Sequence, residues 1–500
     1  MRKIKIAASV ILCASLVLNI TACDSLDTVS ADSSVSPVGP ATSTTTMTTV
    51  DPDENAATDE KVKDMDTGGY TPSGNAGTIK IYSYYDVTVD QKGKEQCMIF
   101  ESEQYGGDIE WIMTTNGYQF YEKLGTLIAA DDSPDITTYE GMSMPFAVKK
   151  NMFEPIDDYF DLSDPMWADM MPYIEANIYE DKLYCVPHCT FASYALNYNR
   201  KTFADNNLTD PYELYMNGEW TWDAWRQLMV DFCNIDDNNI GFYATDTIAT
   251  SFCNTTGKAL IDITPDGKIY NNLNDPDITR AVDFLSELER SGVLYDNRYG
   301  SWVAPADWAP ISNEILFFGM EPEWTYIAAT EKMQNFPGVE NDILNTVSDF
   351  AFVPFPRDPQ ADEYYLSQWM FGYMVVKGAK NIEGAIDFIY CNRLYQIDEN
   401  IRNQVKQDHV NPEKVTYTAG KYEGRQKWEI IWDEQVYDLW QEMLKSDKFS
   451  YLIDDLNGFG EEVSAGVCKT IFDSTFGGES FAQLSQINMP IIDTALDEYR

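Results

Sequence analysis

Residues 179–203 read Tyr-Glu-Asp-Lys-Leu-Tyr-Cys-Val-Pro-His-Cys-Thr-Phe-Ala-Ser-Tyr-Ala-Leu-Asn-Tyr-Asn-Arg-Lys-Thr-Phe, with two short apolar runs on either side of a proline. The first run, residues 183–186, ends at Pro187, which cannot donate a hydrogen bond to a strand ladder. The second run, residues 194–198, alternates aromatic, aliphatic and polar side chains as a strand does. The pattern predicts a chain that leaves one lobe at Pro187 and enters the sheet of a second lobe.

A second run that ends in prolines supports this division. Residues 350–356 read Phe-Ala-Phe-Val-Pro-Phe-Pro, which predicts a buried strand and a second place where the chain changes lobe. The chain has 500 residues, which is too long for one ordinary hydrophobic core. We therefore expect two lobes that are joined by at least two crossovers.

The segment upstream of the first crossover has the pattern of an α/β sheet. Residues 78–84 and 109–113 alternate as strands, residues 118–130 have helical periodicity, and Ser133-Pro-Asp-Ile begins another short strand. This order predicts a mostly parallel, doubly wound sheet, whose ligands bind at the carboxyl ends of the strands. The candidates that follow these strands are Tyr85, Asp86, Tyr139 and Glu140.

The charge of the chain restricts its partners. The formal net charge is −46, and removing the three basic residues Arg2, Lys3 and Lys5 gives −46 − 3 = −49. Such a surface repels phosphate backbones and anionic lipids. We expect no nucleic-acid partner and a neutral or cationic ligand.

The N-terminus has the organisation of an export signal. The basic residues Arg2, Lys3 and Lys5 precede an apolar segment, residues 6–20, that is too short to span a membrane comfortably. The closing Ile-Thr-Ala-Cys resembles the bacterial lipobox, which implies a signal peptide over residues 1–22 and a lipid anchor on Cys23. The alternative is an ordinary secretory signal with an incidental cysteine. Residues 24–76 are rich in Ser, Thr, Pro and Asp, and predict a disordered tether.

The remaining seven cysteines do not predict a disulfide framework. Their number is odd, so at least one thiol stays unoxidised, and they are scattered along the chain. The segment Cys185-Val-Pro-His-Cys189 has the residue types of a metal or redox motif. It has no second Cys/His pair to complete a zinc site, so we expect a structural role, no metal and no cofactor.

Several motifs in this order resemble the extracellular solute-binding proteins of ABC importers, of the maltose- and multiple-sugar-binding lipoprotein type. Besides the lipobox and the two crossovers, they include Ser-Pro-Asp-Ile at 133–136, Trp-Thr-Trp-Asp-Ala-Trp at 220–225 and Lys-Asn-Ile-Glu-Gly-Ala-Ile-Asp-Phe-Ile at 380–389. The resemblance spans residues 76–500. One segment departs from it, because Ile-Leu-Phe-Phe-Gly-Met-Glu-Pro-Glu-Trp at 315–324 replaces the usual Gly-Lys-Ala-Ala-Met segment.

The resemblance implies an α/β, periplasmic-binding-protein-like fold with two lobes, crossover hinge strands and a ligand cleft. The first lobe would comprise residues 77–187 and 355–399, and the second residues 188–354 and 400–500. A monomer would capture a small molecule or oligosaccharide and deliver it to ABC permease subunits, while the anchor on Cys23 holds it to the outer face of the membrane.

Sugars offer apolar C–H faces and many hydroxyl groups, so a sugar site needs flat aromatic rings and carboxylates or amides. Trp222 and Trp225 share a helical face with apolar residues and are expected in the core. Four other tryptophans lie outside any clear helical face. The predicted ligand-binding residues are Tyr85, Asp86, Glu140, Trp302, Trp308, Glu323, Trp324 and Trp369. The alternative for each is a core position or a solvated turn.

Two other classes of protein compete with an importer component. A secreted glycoside hydrolase needs two carboxylates around a sugar cleft, and the many acidic pairs in this chain carry no catalytic signal because 81 acidic residues produce them by chance. No motif of a nucleophilic or metal-dependent hydrolase is present, so we expect no catalytic residues. A surface adhesin that binds polysaccharide uses the same site chemistry, and the residues alone leave it open.

Overall fold

A computed structural model describes most of the chain that follows the N-terminal segment. The described residues are 63, 65, 67, 69–85, 87, 91–192, 194–244, 248–264, 266, 268–296, 313–322, 325, 349–411, 415–416, 426–427, 432–445, 448–453, 456–460 and 462–500. Among these residues, no helix combines the length and apolar character that a membrane span requires.

The first sheet contains six strands within the described residues. Numbered along the chain, they are β1 (Gly77–Ser83), β2 (Gly107–Met113), β3 (Ile136–Thr138), β6 (Val186–Ala192), β14 (Tyr364–Val375) and β17 (Phe449–Ile453). The spatial order is β17-β14-β3-β1-β2, and β6 pairs with β14. β1 is parallel to both β2 and β3, as the sequence pattern predicts. Ile79 and Ile81 on β1 are fully buried, which anchors the sheet in the core.

In the part of the chain that the structure describes, the second sheet has five strands in the order β11-β8-β12-β7-β13. They are β7 (Ala195–Asn199), β8 (Ile240–Ala244), β11 (Leu294–Asp296), β12 (Ile315–Met320) and β13 (Phe350–Val353). β8 is parallel to β11 and β12, whereas β7 runs antiparallel to β12 and β13. Short two-stranded pairs complete the strands: β4 (Ile178–Tyr179) with β5 (Lys182–Leu183), β9 (Ile261–Ile263) with β10 (Ile269–Asn271), and β15 (Val415–Thr416) with β16 (Gln426–Lys427).

Helices pack against both sheets. The α-helices are α1 (Gln91–Glu101), α2 (Tyr118–Ala129), α3 (Met171–Ala176), α4 (Arg200–Asp205), α5 (Pro211–Met216), α6 (Trp222–Cys233), α7 (Ile248–Asn254), α8 (Pro276–Arg290), α9 (Ile382–Ile397), α10 (Glu399–Val410), α11 (Glu434–Lys445), α12 (Lys469–Phe476) and α13 (Phe481–Leu496). Shorter 3-10 or π turns cover Ser143–Ala147, Asp157–Tyr159, Pro165–Met170, Leu456–Phe459 and Glu462–Cys468. Thr221 and Asn381 cap α6 and α9 by accepting hydrogen bonds from backbone N–H groups of the first turn. Trp222 and Trp225 are buried, which confirms their core position.

The strand directions show which edges of the two sheets the crossovers connect. β3 and β6 both run antiparallel to β14, so the chain leaves the first sheet at the edge where β1, β2 and β3 end. β7 begins beside Met320, the carboxyl end of β12, and β13 also ends at that edge of the second sheet. Only two residues separate β6 from β7, so the Cα atoms of Ala192 and Ala195 are at most about 11 Å apart. Both crossovers therefore join the carboxyl edges of the two sheets.

The first crossover differs from the sequence prediction in its position. Pro187 lies within β6, and the change of sheet occurs between Ala192 and Ala195. Proline is tolerated because β6 has a register shift beside Gly372 and, among the described strands, pairs only with β14. Phe355, predicted in the first lobe, packs on Trp225 of α6. The predicted lobe boundaries stay a prediction, and the chain passes from one sheet to the other a few residues away from them.

One segment near the N-terminus also differs from the prediction, and near the C-terminus β17 joins the first sheet through β14. The predicted tether extends to residue 76, but its last residues pack on the folded domain. The Tyr70 ring stacks on Tyr390 at 3.5 Å, and the Ser73 hydroxyl donates to buried Asp387 at 2.6 Å. Segments of low hydrophobicity can be ordered by a few specific contacts of this kind.

Candidate ligand cleft

The carboxyl edge of the first sheet presents aromatic and acidic side chains. β1 ends at Ser83 and is followed by Tyr84 and Tyr85, whose rings meet edge to face at 5.0 Å. β2 ends at Met113, which is 56% exposed. β3 lies beside β1 and is followed by Tyr139 and Glu140. The predicted residues Tyr85 and Glu140 therefore follow neighbouring strands, at the edge where the crossovers leave.

Hydrogen bonds hold the carboxyl group and backbone of Glu140 in place. The Thr138 hydroxyl donates to Oε1 of Glu140 at 2.6 Å. The Glu140 backbone N–H donates to the Ser143 hydroxyl at 2.9 Å, and the Ser143 N–H donates back to the Glu140 carbonyl at 2.8 Å. The Tyr121 hydroxyl lies 3.0 Å from the Ser143 hydroxyl, which extends the network to α2. These bonds fix a hydrogen-bond acceptor at the sheet edge.

The environment of Glu140 favours its neutral form. Burial of the carboxyl group among protein atoms raises its pKa to about 7, although the Thr138 hydroxyl bond opposes the shift. Glu140 forms no salt bridge within the described residues, so no nearby cation offsets the desolvation. The side chain is half-buried and can still meet a ligand. A ligand that donates hydrogen bonds to this carboxyl group would stabilise its ionised form.

Trp369 lies next to Tyr139, the residue that precedes Glu140 in the chain. Its ring meets the ring of Tyr139 edge to face at 5.9 Å, and the Tyr139 N–H donates to the Gly372 carbonyl at 2.9 Å. The two residues are far apart in the sequence, and the antiparallel pairing of β14 with β3 brings them together. Trp369, Tyr139 and Glu140 form a corner with two aromatic rings and one carboxyl group.

β6 and β14 continue beyond the end of β3 as a ribbon that carries further aromatic residues. Trp369 lies opposite Phe191, and Phe371 lies opposite Cys189. The rings of Phe191 and Phe371 stack at 4.7 Å, and Phe371 is 41% exposed. The sequence prediction missed Phe191 and Phe371 because each lies in an apolar run that reads as core. Along β14, less buried positions alternate with buried ones, and this alternation identifies the side of the strand that carries Trp369 and Phe371.

The segment with two cysteines and a histidine leads into β6 and forms the first part of this strand. Cys185 and His188 are buried, and desolvation together with the charge of Arg393 lowers the pKa of His188 to about 3. The Arg393 guanidinium donates to the backbone carbonyl of His188 at 3.0 Å and pairs with Asp169. Burial raises the pKa of the Cys185 thiol far above its ordinary value. A neutral imidazole and a protonated thiol suit a structural role.

The other predicted site residues fall outside the part of the chain that the structure describes. They are Asp86, Trp302, Trp308, Glu323 and Trp324, together with the lipidation site Cys23. From the second lobe, Asn254 at the end of α7 donates to the Ser367 hydroxyl on β14 at 3.2 Å. Tyr295 on β11 is 46% exposed and packs on Tyr243 at 5.1 Å. Tyr243 and Tyr295 lie one residue before the ends of their strands.

Two α/β sheets that are joined at their carboxyl edges, with polar and aromatic residues at the junction, define a two-lobed ligand-binding protein. Residues 96–400 match the family described as bacterial extracellular solute-binding protein, and the chain belongs to this family. The predicted family and its extracellular location are thereby confirmed. A search of curated protein sequences gave no significant match.

Solved structures with the same fold support the two-lobed architecture. The GacH receptor of Streptomyces glaucescens, studied with acarbose, is similar with a TM-score of 0.56 and 14% identity over 85% of this chain and 99% of that chain. The cyclic α-maltosyl-1,6-maltose binding protein of Arthrobacter globiformis is similar with a TM-score of 0.58 and 13% identity, over 84% of this chain and 98% of that chain. The sugar-binding protein MalE of Xanthomonas citri has a TM-score of 0.58 and 15% identity, over 84% of this chain and 98% of that chain. The predicted α/β fold with two lobes is confirmed.

Proposed function

We propose that the chain captures an extracellular sugar or oligosaccharide between its lobes and delivers it to the permease of an ABC importer. The ligand would stabilise a closed arrangement of the lobes, because it contacts both of them only in that arrangement. Family membership supports the binding role, and the sugar ligands named for the three similar structures support the ligand class. The predicted set of ligand-binding residues is part of this proposal.

The observation that carries the proposal is the corner of Trp369, Tyr139 and Glu140. A sugar ring can place its C–H face on an aromatic ring and donate hydroxyl hydrogen bonds to the fixed carboxyl group. The high negative charge of the chain disfavours an anionic ligand such as a sugar phosphate. A neutral carbohydrate satisfies both conditions, and a cationic ligand is the second candidate.

A thermal-shift screen of mono- and oligosaccharides, with polyamines as the cationic class, tests the ligand class. A ligand at 100 times its dissociation constant adds about 2.7 kcal/mol to the free energy of unfolding, which raises the melting temperature measurably. The substitution Glu140→Gln should weaken the response to a sugar. Glu122→Gln, on the exposed face of α2, is the matched control and should leave it unchanged. If no carbohydrate shifts the melting temperature, the proposed ligand class is wrong.

Transport and adhesion predict different phenotypes in the producing cell. An importer component is needed for uptake of the radiolabelled sugar, so deletion of the chain should abolish that uptake. A polysaccharide-binding adhesin predicts normal uptake and reduced attachment to the polysaccharide. Chromatography of the sugar after long incubation with the protein tests the hydrolase alternative, because a binding protein leaves the sugar intact.

A further inference from the structure

The ribbon of β6 and β14 carries more aromatic surface than a single sugar ring can cover. We propose that it is a stacking surface for two successive rings, so that the ligand is an oligosaccharide of at least two units. This inference rests on the proposed function and adds the minimum length of the ligand. The residues that form the surface, here called the ribbon face, are Trp369, Phe371, Phe191 and Cys189.

The register of the ribbon places these four side chains on one side. Trp369 and Phe371 alternate with the buried residues Gln368 and Met370 along β14. Residues directly opposite in an antiparallel pair project to the same side, so Phe191 and Cys189 share the face. Alternate residues of a strand are about 7 Å apart, so one pyranose ring is too narrow to cover both Trp369 and Phe371. A second ring is therefore needed to cover Phe371.

The two ends of the ribbon face offer different surroundings to the two rings. At Trp369 the ring of Tyr139 stands edge to face, and Glu140 supplies the hydrogen-bond acceptor. At Phe371 the surface is aromatic and open, because Phe371 stacks on Phe191 and is still 41% exposed. The first ring would be held by stacking and hydrogen bonds, and the second mainly by stacking. An isolated monosaccharide would lose the second contribution.

The backbone under the ribbon face is fixed before a ligand arrives. The ladder shifts register between Phe371 and Gly372, which leaves His188 as the extra residue of a β-bulge. The guanidinium of Arg393, itself 3% exposed, donates to the His188 carbonyl and fixes the bulge. The His188 ring stacks beneath Phe371 at 6.4 Å, and its buried Nδ1 has no hydrogen-bond partner among the described residues.

Binding measurements with matched sugars of increasing length test the proposal. The probes are glucose, maltose and maltotriose, then cellobiose and cellotriose, then xylose, xylobiose and xylotriose, each titrated by calorimetry. The best disaccharide should bind at least tenfold more tightly than its own monosaccharide. Phe371→Ala should remove most of this difference while the monosaccharide affinity changes less than twofold. Tyr270→Ala, an exposed aromatic on β10, is the control and should change neither affinity.

Alkylation of Cys189 gives a second readout that needs no substitution. Among the described cysteines only Cys189 and Cys233 are not buried, and Cys233 lies on α6 away from the ribbon. The bound disaccharide should slow the alkylation of Cys189 at least fivefold, measured by peptide mass spectrometry, and leave the rate at Cys233 unchanged. Equal affinities for the monosaccharide and disaccharide, or no protection of Cys189 by a bound disaccharide, would refute the two-ring surface while the proposed function stands. If none of these sugars binds, the proposed function fails as well.

Discussion

Substitution of Glu140 by glutamine should stabilise the protein at alkaline pH while it weakens sugar binding. Glutamine has nearly the same shape and can still accept the hydrogen bond from the Thr138 hydroxyl through its amide oxygen. It carries no charge at any pH, so it removes the desolvation cost of the half-buried carboxylate. Binding sites often keep such a destabilising group because the ligand uses it.

The magnitude follows from the pKa of Glu140. Desolvation raises this pKa from 4.5 to about 7, a difference of about 2.5 units, and each unit corresponds to about 1.4 kcal/mol. Between pH 4.5 and 7 the folded protein binds more protons at this site than the unfolded chain does. The contribution of Glu140 to stability is therefore lost as the pH rises through this window, by about 3.5 kcal/mol in total. The glutamine variant lacks this dependence, so its advantage should be absent near pH 4.5 and full at pH 8.

The assay compares melting temperatures of wild-type protein, Glu140→Gln and the exposed control Glu122→Gln from pH 5 to pH 8. The difference between Glu140→Gln and wild type should grow with pH and level off above pH 7, whereas Glu122→Gln should follow wild type throughout. A gain of equal size at pH 5 and pH 8 would mean that charge desolvation is not its cause. A variant that is no more stable than wild type at pH 8 would refute the reasoning.

Three other substitutions test separate parts of the structure. Gly372→Ala places a Cβ atom 2.5 Å from the Sγ atom of Cys185, so we expect a loss of about 1–3 kcal/mol in unfolding free energy. Cys185→Ala in the same chain should recover most of that loss in the melting temperature, and a failure to recover would locate the clash elsewhere. Tyr70→Phe removes a hydroxyl donor from buried Asp387, at a cost of about 1–2 kcal/mol, and should speed proteolysis within residues 69–76. An unchanged cleavage rate would show that this contact does not hold the segment. Cys23→Ser should release the protein into the medium, and retention on the membrane would contradict the proposed lipid anchor.

The sequence by itself determined the class of fold and the order of its parts. Alternating strands, proline-ended runs and capped helices are local signals, because strand and helix periodicities are set by neighbouring residues. They placed β1, β2 and α2 close to their observed positions. The same signals located both crossovers to within a few residues. The carboxyl-edge rule also placed Tyr85 and Glu140 at the carboxyl edge of the first sheet, and their role in binding stays a prediction.

The tertiary structure decided which residues come together at the carboxyl edge of the first sheet and how they behave there. Phe191 and Phe371 are 180 positions apart, and only the register of β6 on β14 makes their rings stack. Pro187 is tolerated inside a strand because a bulge and an edge position remove the need for its missing N–H. The raised pKa of Glu140 comes from the burial of its carboxyl group among protein atoms, which exists only in the folded chain. Pairing register and desolvation are properties of the assembled chain, so no local pattern of residues contains them.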